Sequence, residues 1–257
     1  MTIVVVGGTG LIGTKVVARL RALGHDPVVA ARATGVNSYT GEGLAEALAG
    51  AGTVVDVSNS SYLDEAGALD FFETSTLNLL TFGAAAAVAH HVALSVVGTD
   101  RLARGEGGYF QAKQQQENLI RSSSRPFSIV HATQFFEFVG DIADSASRDG
   151  RVRVAQALMQ PMAADDVADA VVRTALGAPT RAVTEFAGPE PGRLDYFVRR
   201  LLTAGDDVRE VRADPLARYF GSALTERELL PGDRAVLSSL RFDQWLKGVR
   251  PAAVAAG

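Results

Sequence analysis

The chain has 257 residues, 47% of them hydrophobic, with 25 basic against 29 acidic side chains and a net charge of −4. That length and apolar content can bury a full core, as one large domain or one with a small appendage. A weakly acidic chain gives no global basic field for nucleic acid or anionic membranes, no apolar run approaches the roughly 20 residues of a bilayer span, and the absence of cysteine excludes disulfides and thiolate metal sites.

With no basic leader region at the start either, the expectation is a cytoplasmic protein, monomeric or homodimeric, with neither nucleic acid nor membrane as a partner. In chain order, Ile3-Val4-Val5-Val6 is a β-branched run of the kind buried on both faces of a parallel sheet. Gly7-Gly8-Thr9-Gly10 breaks it. Residues 11–23 then carry apolar side chains at helical spacing, with Gly24 as a stop, and 27–31 reads as a second strand. The opening is therefore β–α–β with short connections.

Next, the sequence predicts a short third strand over 36–39, a helix over 44–49, a strand over 53–57 and a long helix over 69–88. A strand over 91–97 leads into a loop rich in glycine (Gly98, Gly105, Gly107, Gly108). A helix over 109–122 and a strand over 127–132 follow. Beyond Gln134 the alternation loosens. Helices are expected over 165–176, 194–204 and 242–247, a last strand over 183–186, and a frayed tail over 252–257. No repeat or linker divides the chain. The expectation is a single domain, 1–257, with a dinucleotide-binding core over 1–134 and a mostly substrate-binding or lid region over 135–257 that returns some elements to the core. The fold class is α/β: a Rossmann-like, doubly wound parallel sheet with a small C-terminal substrate-binding region.

Three glycines carry the first chemistry. Gly7 suits a tight turn after the strand, Gly10 lets backbone approach a pyrophosphate, and Gly13 lets helix and strand pack closely. Thr9, Leu11 and Ile12 lie on the same turn, whose helix start offers unpaired N–H groups to phosphate. The second strand ends in Ala30-Ala31-Arg32, with an arginine and no acid, which favours NADP(H) over NAD(H) because a guanidinium suits a 2′-phosphate. Asn37 is a candidate near the adenine, and Ser58 and Asn59 near the nicotinamide ribose. Tyr109 and Lys113 stand four apart, so on a helix they share a face, and a nearby ammonium makes a phenol a better proton donor. His90 and His91 lack the partners of a metal site, so no metal is expected.

The glycine turn, Ser95-Val96-Val97-Gly98 at a strand end, and Tyr109-x-x-x-Lys113 opening the next helix together resemble the short-chain dehydrogenase/reductase superfamily. Segments 7–13, 90–98 and 109–136 are similar in particular to its atypical, NmrA-like NAD(P)-binding branch. The resemblance implies that Ser95 contacts a substrate carbonyl, Tyr109 exchanges the proton, and Lys113 holds the nicotinamide ribose and lowers the Tyr109 pKa. An asparagine found in many members on the long central helix is replaced here, since Phe72 stands where it would be sought and Asn78 comes later. His131, Gln134, Phe135, Phe136 and Met159 are candidates for the substrate pocket. The implied function is an NADP(H)-dependent oxidoreductase reducing a carbonyl or quinone-like group of a hydrophobic small molecule. Two alternatives stay open: a non-catalytic, NAD(P)-sensing regulator, and an epimerase or isomerase with tightly bound cofactor.

Overall fold

The computed structural model describes residues 2–60, 64–104 and 108–248. β1 (Thr2–Val6) leads through the glycine turn into α1 (Leu11–Ala22) and then β2 (Val28–Ala30). α2 (Leu44–Leu48), β3 (Ala51–Asp56), α3 (Glu65–Ala85) and β4 (His90–Val96) follow, then the short α4 (Thr99–Leu102), α5 (Gly108–Ser122) and β5 (Phe127–Ala132). The remainder comprises α6 (Val139–Ser145), β6 (Ser147–Arg148), β7 (Arg151–Ala155), β8 (Leu158–Met159), α7 (Ala164–Leu176), β9 (Val183–Ala187), β10 (Gly192–Arg193), α8 (Leu194–Ala204), β11 (Glu210–Asp214), β12 (Val236–Leu237) and α9 (Phe242–Gly248).

Seven strands form one parallel sheet in the order β12-β9-β5-β4-β3-β1-β2. β2 and β3 lie on opposite sides of β1, so the winding reverses there and opens a crevice at the C-terminal strand ends. Helices cover both faces, as a sheet apolar on both sides requires. On one face α1 and α7 bury Val16, Leu20, Val167 and Val171 against Ile3, Val5 and Val92. They are tied at the surface by Lys15 and Arg19 to Asp165 (2.7 and 2.8 Å) and by Arg19 to Asp169. α2, α3 and α5 cover the other face, with Leu44, Leu48 and Leu79 against Val4, Val6 and Val54.

The expected strand at 36–39 does not form. Arg32–Thr34 is one turn of 3-10 helix, Gly35 and Gly41 adopt left-handed backbone, and Asn37 N–H bonds Glu42 O, so the chain folds back as a loop. The long helix starts four residues earlier than expected, because Asp64 accepts the Gly67 N–H (2.9 Å) and caps it. α4 and β12 were not foreseen, nor were α6, the β6–β7 hairpin with β11 parallel to β7, and the β8–β10 ladder. The last three pack with α8 and α9 around Phe136, Met159, Phe197 and Phe242 into a second apolar cluster beyond β5. The expected tail at 252–257 lies outside the described residues. Among the described residues no helix is long and apolar enough to cross a membrane.

Candidate active site

The crevice above β1, β3 and β4 is a cleft of about 950 Å³. Its floor begins at the glycine turn. Gly7 has φ +77°, and a Cβ there would stand 2.8 Å from Ser58 Cα, so only glycine fits where β1 and β3 converge. A Cβ on Gly13 would meet Gly7 O at 2.1 Å, which fixes α1 tightly against the turn. Gly10 differs: its Cβ would touch only Gly7 O, at 3.3 Å, so its bareness keeps open the side facing the cleft. No side chain caps α1, which leaves its first-turn N–H groups for an anion. Thr9, Leu11 and Ile12 line the cleft with Gly7 and Gly10, whereas Gly13 is buried behind the turn. The donor set and the space fit a dinucleotide pyrophosphate.

Arg32 sits at the end of β2, exposed on the cleft rim and without an ion pair among the described residues. Asn37 lines the same end and accepts the Tyr39 N–H (3.1 Å). Asn78 is used elsewhere, donating to Ser38 O and Tyr39 O (both 2.9 Å) and so holding this loop to α3.

At the other end, the inner face of α5 carries Tyr109, Lys113, Gln116, Glu117 and Ile120, an i, i+4, i+7, i+8, i+11 series that points into the fold. Tyr109 and Lys113 both reach the cleft. Tyr109 Oη donates to Asn59 Oδ1 (2.8 Å). Lys113 Nζ donates to Leu94 O (2.8 Å) and to Gln116 Oε1, and stands 4.5 Å from the centre of the Phe72 ring. Gln116 Nε2 in turn donates to Asp56 Oδ2 (2.9 Å), and Asp56 Oδ1 accepts both the N–H and the hydroxyl of Ser58 (3.0 and 2.6 Å). Burial pulls the Lys113 ammonium down to about 8, against the opposing attraction of Asp56 and Glu117.

Ser95 lines the cleft, yet its hydroxyl turns inward and donates to Glu117 Oε1 (2.6 Å). His131 Nε2 lies 2.7 Å from the same oxygen, and Arg121 reaches Oε2 at 3.2 Å. Burial pushes the Glu117 carboxyl up, but His131, Ser95 and Arg121 outweigh it and hold it at about 2. A carboxylate with that many donors is anionic, so the single Ser95 proton is committed to it.

Of the pocket candidates, Phe135 lines the cleft. The other four do not. His131 is buried against Glu117, Phe136 packs on Phe242 and Trp245, Met159 is fully buried, and Gln134 is buried with neither side-chain atom hydrogen-bonded among the described residues. The sequence reading did not single out Phe71, Glu137 and Asp141 in the cleft, nor Asp56, Gln116 and Glu117 beneath it. The helical stripe below Lys113 could have shown Gln116 and Glu117. Among the described residues no group of three or more His, Asp or Glu could hold a metal ion.

No protein-family model matches this chain, and none of the curated proteins matches it in sequence. Solved structures do match it. A short-chain dehydrogenase/reductase superfamily protein from Agrobacterium tumefaciens with bound NAD is 15% identical over 96% of this chain and 95% of that one, with a TM-score of 0.68. A Thermus thermophilus UDP-glucose 4-epimerase complexed with NAD is 16% identical over 98% and 94%, with a TM-score of 0.67. TunA, an NAD-dependent NDP-hexosamine 5,6-dehydratase of tunicamycin biosynthesis, is 15% identical over 96% and 95%, with a TM-score of 0.72. At such identities the likeness is one of fold: the chain shares the Rossmann-like α/β fold of these structures. Nothing in these matches singles out the NmrA-like branch.

Proposed function

We propose that this protein is an NADP(H)-dependent oxidoreductase that reduces a carbonyl or quinone-like group on a hydrophobic small molecule. The supporting observation is that Tyr109 and Lys113 open onto the same cleft as the glycine turn. The glycine turn and the α1 N-terminus would hold a nicotinamide dinucleotide, which would supply hydride chemistry when bound. The chain supplies the proton. As the C=O π bond opens, the oxygen takes the phenolic proton of Tyr109, leaving an alcohol and a phenolate. The Lys113 ammonium lowers the cost of that phenolate. Tyr109 Oη, which donates to Asn59 Oδ1, turns its proton from that amide oxygen to the substrate oxygen. Ser95 is assigned to holding Glu117 and the end of β4, because a carboxylate holds its one proton more strongly than the Asn59 amide holds that of Tyr109. Phe71, Phe135 and Phe138 make the apolar wall that favours a hydrophobic substrate. Arg32 is assigned to the 2′-phosphate, which selects NADP(H).

The test is NADPH oxidation over a panel of ketones, aldehydes and quinones, beside Tyr109→Phe. The variant is expected to keep NADPH affinity and lose turnover by about 10²–10⁴-fold. Undiminished turnover would remove Tyr109 from the mechanism. A second reading, an isomerase with retained cofactor, draws on the likeness in fold to NAD-bound epimerases. Purified protein that carries nucleotide it never exchanges, and shows no net redox change on the panel, would favour that reading instead.

A further inference from the structure

The charges that line the cleft are sorted by sign along the sheet. Arg32 follows β2, whereas Phe135, Phe138 and Asp141 follow β5. Four inter-strand steps separate the two ends, roughly 19 Å at ~4.8 Å per step. Arg32 therefore cannot serve a group bound beside Tyr109. Lys113 is the other cation among the described residues lining the cleft, and it is buried, donating to Leu94 O and Gln116 Oε1. Of the segments outside the described residues, 61–63 and 105–107 contain no lysine or arginine in sequence, and 249–257 contains Arg250.

What the β5 end presents instead is carboxylate and ring. Glu137 and Asp141 are four apart and both line the cleft, with Phe138 between them in sequence. Glu137 Oε2 is used, accepting the Ala164 N–H (2.9 Å) at the start of α7. Asp141 forms no ion pair among the described residues, and Asp144, its neighbour on α6, is paired with Arg209 (2.8 Å). Burial first, and Asp144 second, make Asp141 hold its proton more tightly than an ordinary aspartate. An exposed, unpaired carboxylate in the same cleft as aromatic side chains is chemistry suited to an organic cation, which gains from both the charge and the ring faces. It repels phosphate and carboxylate groups.

Resting on the cleft assignment above, we infer that the substrate is a hydrophobic carbonyl compound bearing a protonated amine, seated against Phe135 and Phe138 with its ammonium on Asp141, and that nucleoside-diphosphate sugars are excluded. Asp141 also lies in the first turn of α6, where an acid stabilises a helix start. Ligand charge selectivity does not depend on that role.

The experiment is calorimetric titration of the full chain saturated with NADP⁺, using phenethylammonium, phenylacetate and uridine diphosphate as probes. The ammonium probe is expected to bind at least about tenfold more tightly than either anion. Asp141→Asn should erase that difference and Asp141→Glu should keep it. Equal or tighter binding of phenylacetate or uridine diphosphate, no binding of the ammonium probe, or an unchanged preference in Asp141→Asn overturns the inference. Charge selectivity without turnover of any carbonyl would instead sink the oxidoreductase reading and leave the ammonium site on Asp141 standing. If NADP⁺ does not bind, the same titrations on the free protein decide the inference by the same criteria.

Discussion

Lys113 is a cation held out of water, and its surroundings show what keeps it charged. Asp56 can only accept hydrogen bonds, so the amide nitrogen of Gln116 must face it and the amide oxygen must face Lys113. The carboxylate thus acts on the ammonium both through space and by setting the Gln116 orientation. If turnover needs that ammonium, kcat/KM falls as pH rises through about 8. Asp56→Asn removes an influence that raises the Lys113 pKa, so this limb should move down by about one unit. A limb that stays in place would show that Asp56 does not act on Lys113. Arg32 makes a separate prediction at the far end. Arg32→Ala should weaken NADP⁺ about 10–100-fold, the worth of a charge-assisted hydrogen-bond pair, and leave NAD⁺ unchanged. Parallel titrations with both nucleotides decide this, and an undiminished preference for NADP⁺ would discard Arg32 as the clamp.

Among the elements, the glycine turn and α1 behave as one part, because Gly13 lies directly on Gly7 O. Gly13→Ala forces α1 away from β1. We expect a loss of about 1–3 kcal/mol in urea unfolding, together with weaker nucleotide binding. Retained affinity would mean that the turn can bind phosphate without the close helix. The β–α–β opening was legible because β-branched runs and helical spacing are local signals. The loop at 36–43 was not. A short apolar run around Val36 looks like a strand, but Gly35 and Gly41 turn the chain and Ala31 O takes the Val36 N–H. Strands of two residues, such as β8 and β10, were beyond reach for the same reason, since their partner alone makes them strands.

Two of the buried ionic groups, Glu117 and Lys113, each make stability rise with pH, over separate ranges. Glu117 has a folded pKa of about 2 against an ordinary 4.5, so its contribution is complete above about 4.5 and is lost as pH falls toward 2. Lys113 has a folded pKa of about 8 against an ordinary 10.5. Between those values the unfolded chain binds the proton and the folded one has released it, so this term makes stability rise with pH. Unfolding free energies of wild type and Lys113→Met, measured from pH 8 to 10.5, should therefore diverge by on the order of 1–3 kcal/mol, with the rise confined to wild type. Parallel curves would mean that Lys113 titrates as it does in water.

By itself, the sequence determined the sheet-and-helix class, the glycine turn and the placing of Tyr109 beside Lys113, because each depends on residues close together in the chain. Tertiary structure decided what surrounds them. Ser95 gives its proton to Glu117, 22 residues on, and Phe72 comes under Lys113 from another helix. Asp56 reaches Lys113 through Gln116 across 60 positions, while Glu137 caps a helix 27 residues away. Such contacts follow from how α3 and α5 settle on the sheet, so no local pattern encodes them. The same packing leaves Arg32 and Asp141 at opposite ends of one cleft.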